Sequence, residues 1–171
     1  MNRNFIFVFA LLATLFMVNA VPLHERNDRG TTTFNACPLS NIPSLNVTIV
    51  PNPIVPRKTV AFSIFATLNN KVTAGTTKLE IEFADSTGQK IVNDVYFQVF
   101  TEPFDAGTTV SITAPSVPAP DELPDVYTIG VAIGDPVHNP ITPLNIFGCA
   151  YAVVGSTSSD ISSFPFTAIS A

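Results

Sequence analysis

"DVYTIGVAIGD" (Asp125–Asp135) and "LNIFGCAYAVV" (Leu144–Val154) are the two runs whose reading decides the fold. Tyr127, Ile129, Val131 and Ile133 alternate with Thr128, Gly130, Ala132 and Gly134, the period of a strand with one face buried. A loop holding Pro136, Pro140 and Pro143 joins the runs as a closing hairpin. The second run carries Cys149, and the only other cysteine, Cys37, precedes the first strand-like segment. A bond between them ties the entrance of the chain to its exit strand.

Working outward to the N-terminus, Met1–Ala20 reads as a secretory signal. It has a basic start at Arg3, an apolar run from Phe5 to Val18 and a small-residue end at Val18-Asn19-Ala20. Its removal leaves 151 of the 171 residues, enough for one domain with a core of its own. No later run approaches the roughly 18 apolar residues of a membrane span, so the expected product is soluble. In an oxidising compartment two cysteines make one disulfide, and the absence of a C-x-x-C pair gives it a structural role. The mature chain keeps seven basic and thirteen acidic residues, a net charge of −6. That charge argues against nucleic acid and against electrostatic adhesion to anionic membranes.

Fifteen prolines, few charges and abundant Thr and Val point to short strands with proline-rich turns. Residues 21–33 form a flexible leader, and Phe34–Pro43 delivers Cys37 in a loop. Leu45–Val50 is the first expected strand, with Leu45, Val47 and Ile49 inward and Asn46 outward. Asn46-Val47-Thr48 is a glycosylation sequon that such an orientation suits. "VPNPIVPRK" (Val50–Lys58) is an extended connector, because its prolines lack amide donors. Thr59–Leu68 aims Val60, Phe62, Ile64 and Leu68 inward. Thr77–Ala84 aims Leu79, Ile81 and Phe83 inward and Lys78, Glu80 and Glu82 to water. Lys90–Glu102 is a long strand with Val95, Phe97 and Val99 on its apolar side, opposite Asp94, Tyr96 and Gln98. Thr108–Pro115 is shorter, with Val110 and Ile112 inward.

With the closing hairpin this makes seven strands over about 110 residues, the spacing of a two-sheet antiparallel β-sandwich, all-β in class. Residues 155–171 are serine-rich and read as a loose tail. Phe164–Ala171 is too short and polar to end a lipid-anchor signal.

Catalytic constellations are not found. His24 lies in the leader and His138 in the proline loop, neither with a partner at metal-ligand spacing. There is no G-x-S-x-G, phosphate-cradling glycine loop or calcium-loop pattern. The acidic group Asp121, Glu122 and Asp125 reads as a solvated loop. The expectation is therefore a protein that is not an enzyme and needs neither metal nor cofactor. Ten phenylalanines, no tryptophan and a pool of aliphatic residues are directed between the sheets. They either interdigitate in a solid core or, if the sheets splay, line a slot for an alkyl chain or sterol.

Cys37 ahead of the first strand, the V-x-x-x-P-N-P-x-x-P connector (Val47–Pro56) and the Y-T-I-G-V-A-I-G-D … L-N-I-F-G-C hairpin resemble the ML lipid-recognition domain. That family includes fungal phosphatidylglycerol/phosphatidylinositol transfer proteins and the soluble Niemann-Pick type C sterol-transfer proteins. The resemblance covers Phe34 to Val154. Two cysteines stand where members commonly carry six, and Arg57 stands where a glycine often ends the proline run. It implies an Ig-like sandwich that shields the apolar part of a phospholipid or sterol between its sheets. It also implies transient membrane docking and a monomer, secreted or held in a vacuolar or lysosomal lumen. The lining it suggests is Phe62, Ile64, Phe83, Val95, Phe97, Val99, Ile129 and Val131. Lys58, Lys71 and Lys90 at strand ends would meet an anionic headgroup. The alternative is a non-catalytic extracellular interaction or cell-wall-associated sandwich with a solid core.

Overall fold

A computed structural model describes residues 30–88, 95–137 and 144–155. The expected signal segment, most of the expected leader, Lys90, both histidines and the residues from 156 onward lie outside the described residues. Among the described residues eight strands are formed: β1 (Asn35–Ala36), β2 (Asn46–Val50), β3 (Thr59–Thr67), β4 (Lys78–Asp85), β5 (Tyr96–Val99), β6 (Thr109–Pro118), β7 (Tyr127–Pro136) and β8 (Leu144–Val154). Sheet A has the order β1-β8-β7-β4-β5 and sheet B the order β2-β3-β6, with every pairing antiparallel. The expected all-β sandwich is therefore present. The groups β2-β3-β6 and β8-β7-β4 divide the chain between sheets as the A-B-E and G-F-C strands of an immunoglobulin-type sandwich do. The additional strand is β1, two residues long, which no period of alternation can announce.

Alternation decides what each sheet buries. Val47 and Ile49 of β2 stand opposite Ile64 and Phe62 of β3, and Ile64 in turn stands opposite Ile112 of β6. These side chains meet Leu79, Ile81 and Phe83 of β4 and Ile129, Val131 and Ile133 of β7 in one continuous core. β7 lies between β8 and β4, so its small residues Gly130, Ala132 and Gly134 are buried as well. The Val50–Lys58 connector contains cis peptides before Pro51 and Pro53, and Arg57 ends it in the left-handed region at φ 63°. Its amide donates to the Pro120 carbonyl at 3.1 Å. A glycine would take that conformation without the Cβ penalty.

Two outward assignments are corrected. Glu80 and Glu82 are only 2% and 3% exposed, not turned to water. The alternation of lysine with glutamate reads as a solvent face, but β4 runs between β7 and β5. Glu80 is flanked by Ala132 and Phe97, and Glu82 by Gly130, on an interior strand. The second correction is the phase of β5. Tyr96 stands opposite Ile81 and Gln98 opposite Leu79, so Tyr96 and Gln98 share the inward rows. Phe97 and Val99 lie on the outer face, 48% and 41% exposed. Because side chains alternate with period 2, a shift of one residue turns the whole set over.

The Cys37–Cys149 disulfide is formed, and no cysteine is free. Cys149 stands opposite Ala132 on the outer face of sheet A, where Leu39 and Ile42 pack with Leu144 and Ile146 in a second, smaller core. The chain then runs beside β8, with Cys149 donating to the Pro43 carbonyl and the Leu45 amide donating to the Cys149 carbonyl. Leu45 enters the main core and leads into β2 of sheet B. Residues 35–50 thus stitch the two sheets together at the β8 edge.

Candidate functional site: the open edge of the sandwich

At the opposite edge the sheets end in β5 and β6. The described contact across it is polar: the Gln98 amide donates to the Thr113 carbonyl at 3.2 Å, and the Tyr96 hydroxyl donates to the Gln98 Oε1 at 3.0 Å. Tyr96 packs its ring against the core while its hydroxyl reaches the rim. That amphipathic use explains why a tyrosine and a glutamine face inward here. Beside this rim lies a cleft of about 160 Å³, open to the surface, lined in equal number by apolar Val99, Phe100, Phe104 and Ile112 and polar Gln98, Thr101, Glu102 and Ser111.

The floor of the cleft is fixed from below. The Phe100 and Phe104 rings meet edge to face at 6.3 Å. Phe104 exchanges backbone hydrogen bonds with Val72, at 2.8 and 3.1 Å, and Phe100 does so with Gly75 and Thr77. Buried Thr77 accepts from the Thr73 amide at 2.8 Å and donates to the Asp135 carboxylate at 2.6 Å. The 72–77 turn, and with it the phenylalanine pair, is held to the end of β7 by that chain of bonds.

The structure divides the expected lining. Phe62, Ile64, Phe83, Ile129 and Val131 come together between the sheets, all essentially without exposure. Val95 is half-buried ahead of β5, while Phe97 and Val99 face outward. Phe100, Phe104 and Gln98 were missed as lining residues. The F-x-x-x-F spacing across the "FTEPF" turn (Phe100–Phe104) was the available signal.

Nor do the lysines form one site. Lys58 precedes β3 and Lys71 follows it, so the strand separates them by roughly 25–30 Å. Lys71 directly precedes Val72, the backbone partner of Phe104, and belongs at the cleft end. Lys78, read only as a solvated lysine, stands opposite the cleft residue Val99 and holds its ammonium 5.6 Å from the Phe97 ring centre. Among the described residues, no group of three or more His, Cys, Asp or Glu side chains is placed to hold a metal ion, the acidic 121–125 segment included. No family model matches this chain, and no curated protein matches it. The resemblance to the ML domain therefore rests on the sequence features alone: the placement of Cys37, the Val47–Pro56 connector and the closing hairpin.

Proposed function

We propose that this chain is a secreted or vacuolar-lumen lipid carrier that admits the apolar part of one lipid between its sheets through the β5/β6 edge. It carries without chemistry. The cargo class is an anionic glycerophospholipid, phosphatidylglycerol or phosphatidylinositol, ahead of a sterol. The observation that carries this reading is the asymmetry of the sandwich. One edge is sewn by a disulfide and a crossing chain, while the other is crossed by the 100–108 turn without a covalent cross-link, its strands bridged by a glutamine hydrogen bond beside a cleft of mixed polar and apolar lining. Burial of a chain is worth about 0.8 kcal/mol per methylene. Separation of β5 from β6 would expose the ends of the Phe62 and Ile112 rows to it, with Lys71 and Lys78 near the headgroup. The disulfide, buried at Cys149, fits an oxidising compartment. Passage through the secretory route would also present the Asn46 sequon for glycosylation. The carrier acts as a monomer and meets membranes only briefly.

A specific observation favours a second reading. The cleft of about 160 Å³ is smaller than the 300–1,000 Å³ of ordinary ligand pockets, and Phe62, Phe83 and Tyr127 are fully buried. A filled core suits an extracellular or wall-associated interaction module. Native mass spectrometry with lipid extraction separates the two. Co-purifying lipid, displaced by fluorescent phosphatidylglycerol in preference to fluorescent sterol, supports the carrier. A protein that is empty and takes up neither probe supports the module.

A further inference from the structure

The three strands of sheet B contain no charged residue. Two of their outward rows run Asn46–Phe65–Ser111 and Thr48–Ser63–Thr113 across the sheet, and the next pairs Val50, 71% exposed, with Ala61. In the two rows nearest Asn46 every side chain is small and polar except Phe65, which is 48% exposed in their midst. Phe65 is directly opposite Asn46, the acceptor position of the sequon Asn46-Val47-Thr48, and both residues point away from the core. The carrier reading has no use for an aromatic ring there.

We propose that Phe65 is the seat of the first sugar of an N-linked glycan on Asn46. The inference rests on the reading of Asn46 as glycosylated and adds what the sugar does. In the modification, the Asn46 side-chain nitrogen bonds to the anomeric carbon of an oligosaccharide supplied as a polyprenyl diphosphate. The bond from that carbon to the phosphate oxygen breaks, the amide nitrogen loses one proton, and the polyprenyl diphosphate leaves. Directly opposed residues hold their Cβ atoms about 4.5–5.5 Å apart on one face of a sheet. A sugar joined to the Asn46 amide is thereby brought over the neighbouring ring. The C–H face of a pyranose is apolar and weakly positive, and the face of the phenyl ring is negative, so the two stack. A glycan on Asn46 also covers part of β2, an edge strand of sheet B that carries no charge to deter pairing.

The test uses the full chain secreted from a glycosylating host. Peptide mass spectrometry, with Asn46→Gln as the blank, reports occupancy. Endoglycosidase trimming to a single N-acetylglucosamine then isolates the proximal sugar. Thermal unfolding is compared with and without that sugar, in the Phe65 protein and in Phe65→Ala, as a double-mutant cycle. The expected result is a Tm about 2–4 °C higher with the sugar in the Phe65 protein, an increment that disappears in Phe65→Ala. Sugar proton resonances shifted upfield by the ring should return to ordinary positions in the same variant. Equal increments in both backgrounds overturn the seat while leaving glycosylation intact. An unmodified Asn46 overturns both.

Discussion

The two edges of the sandwich are closed by different means. At the β8 edge, one stretch of chain pairs with sheet A as β1, is bonded to it through Cys37 and Cys149, shares backbone hydrogen bonds with it at Pro43 and Leu45, and then joins sheet B as β2. At the β5/β6 edge there is no covalent cross-link: the Gln98 amide bonds the Thr113 carbonyl, and the turn from β5 to β6 is pinned by backbone bonds of Phe100 and Phe104, beside a cleft lined by Phe100, Phe104 and Ile112 together with Gln98, Thr101, Glu102 and Ser111. Covalent and packed closure resists opening, whereas an exposed hydrogen bond contributes about 1 kcal/mol. On the proposed reading the difference would make one edge the hinge and the other the mouth.

The largest expected effect lies at the hinge. Replacing both Cys37 and Cys149 by alanine releases a bond between residues 112 apart, worth about 4–5 kcal/mol in the chain-entropy account. Urea unfolding should show that loss, whereas Gln98→Ala at the mouth should lose about 1 kcal/mol or less. Comparable losses at the two edges would erase the distinction.

Packing at the hinge offers a smaller test. A Cβ added at Gly148 would sit 2.7 Å from Leu68 Cδ2 and 2.8 Å from Leu45 Cδ2, the side chains through which β8 meets sheet B. Gly148→Val should therefore destabilise by about 1–3 kcal/mol in the same assay, since an overfilled core must shift.

At the mouth, Ile112→Trp puts a larger side chain into the cleft wall. It should abolish uptake of fluorescent phosphatidylglycerol while Tm moves by only a few degrees, about the effect of 1 kcal/mol. Unchanged uptake in that folded variant would remove Ile112 from the path. The smallest effect belongs to Arg57→Gly, away from both edges. Relief of the left-handed backbone, offset by the greater freedom of an unfolded glycine, should raise stability by up to about 1 kcal/mol in urea unfolding.

Legibility in the sequence followed the same division. The hinge could be read because its signals are strong and local. Two cysteines leave one pairing, and β2, β3 and β7 alternate without interruption, so Phe62, Ile64, Ile129 and Val131 were placed inward correctly. The mouth could not. In the Tyr96–Val99 segment every residue can serve a rim, and its inward face is set by register against Leu79 and Ile81, a long-range fact. Phe97 and Val99 are more apolar than Gln98, yet that register turns Gln98 inward, where its amide reaches the Thr113 carbonyl. Glu80 and Glu82 misled for a related reason: a central strand buries both faces, and alternation alone does not tell a central strand from an edge one.

The central claim is entry between β5 and β6, and photo-crosslinking tests it most directly. A phosphatidylglycerol with a diazirine on one acyl chain would be equilibrated with the folded protein, irradiated, and the adducts mapped by peptide mass spectrometry. Adducts concentrated on residues 98–104 and 110–112, with further label on the inward residues of β3, are the expected result. A folded protein that acquires no adduct, or acquires it only at the β8 edge, would contradict the account.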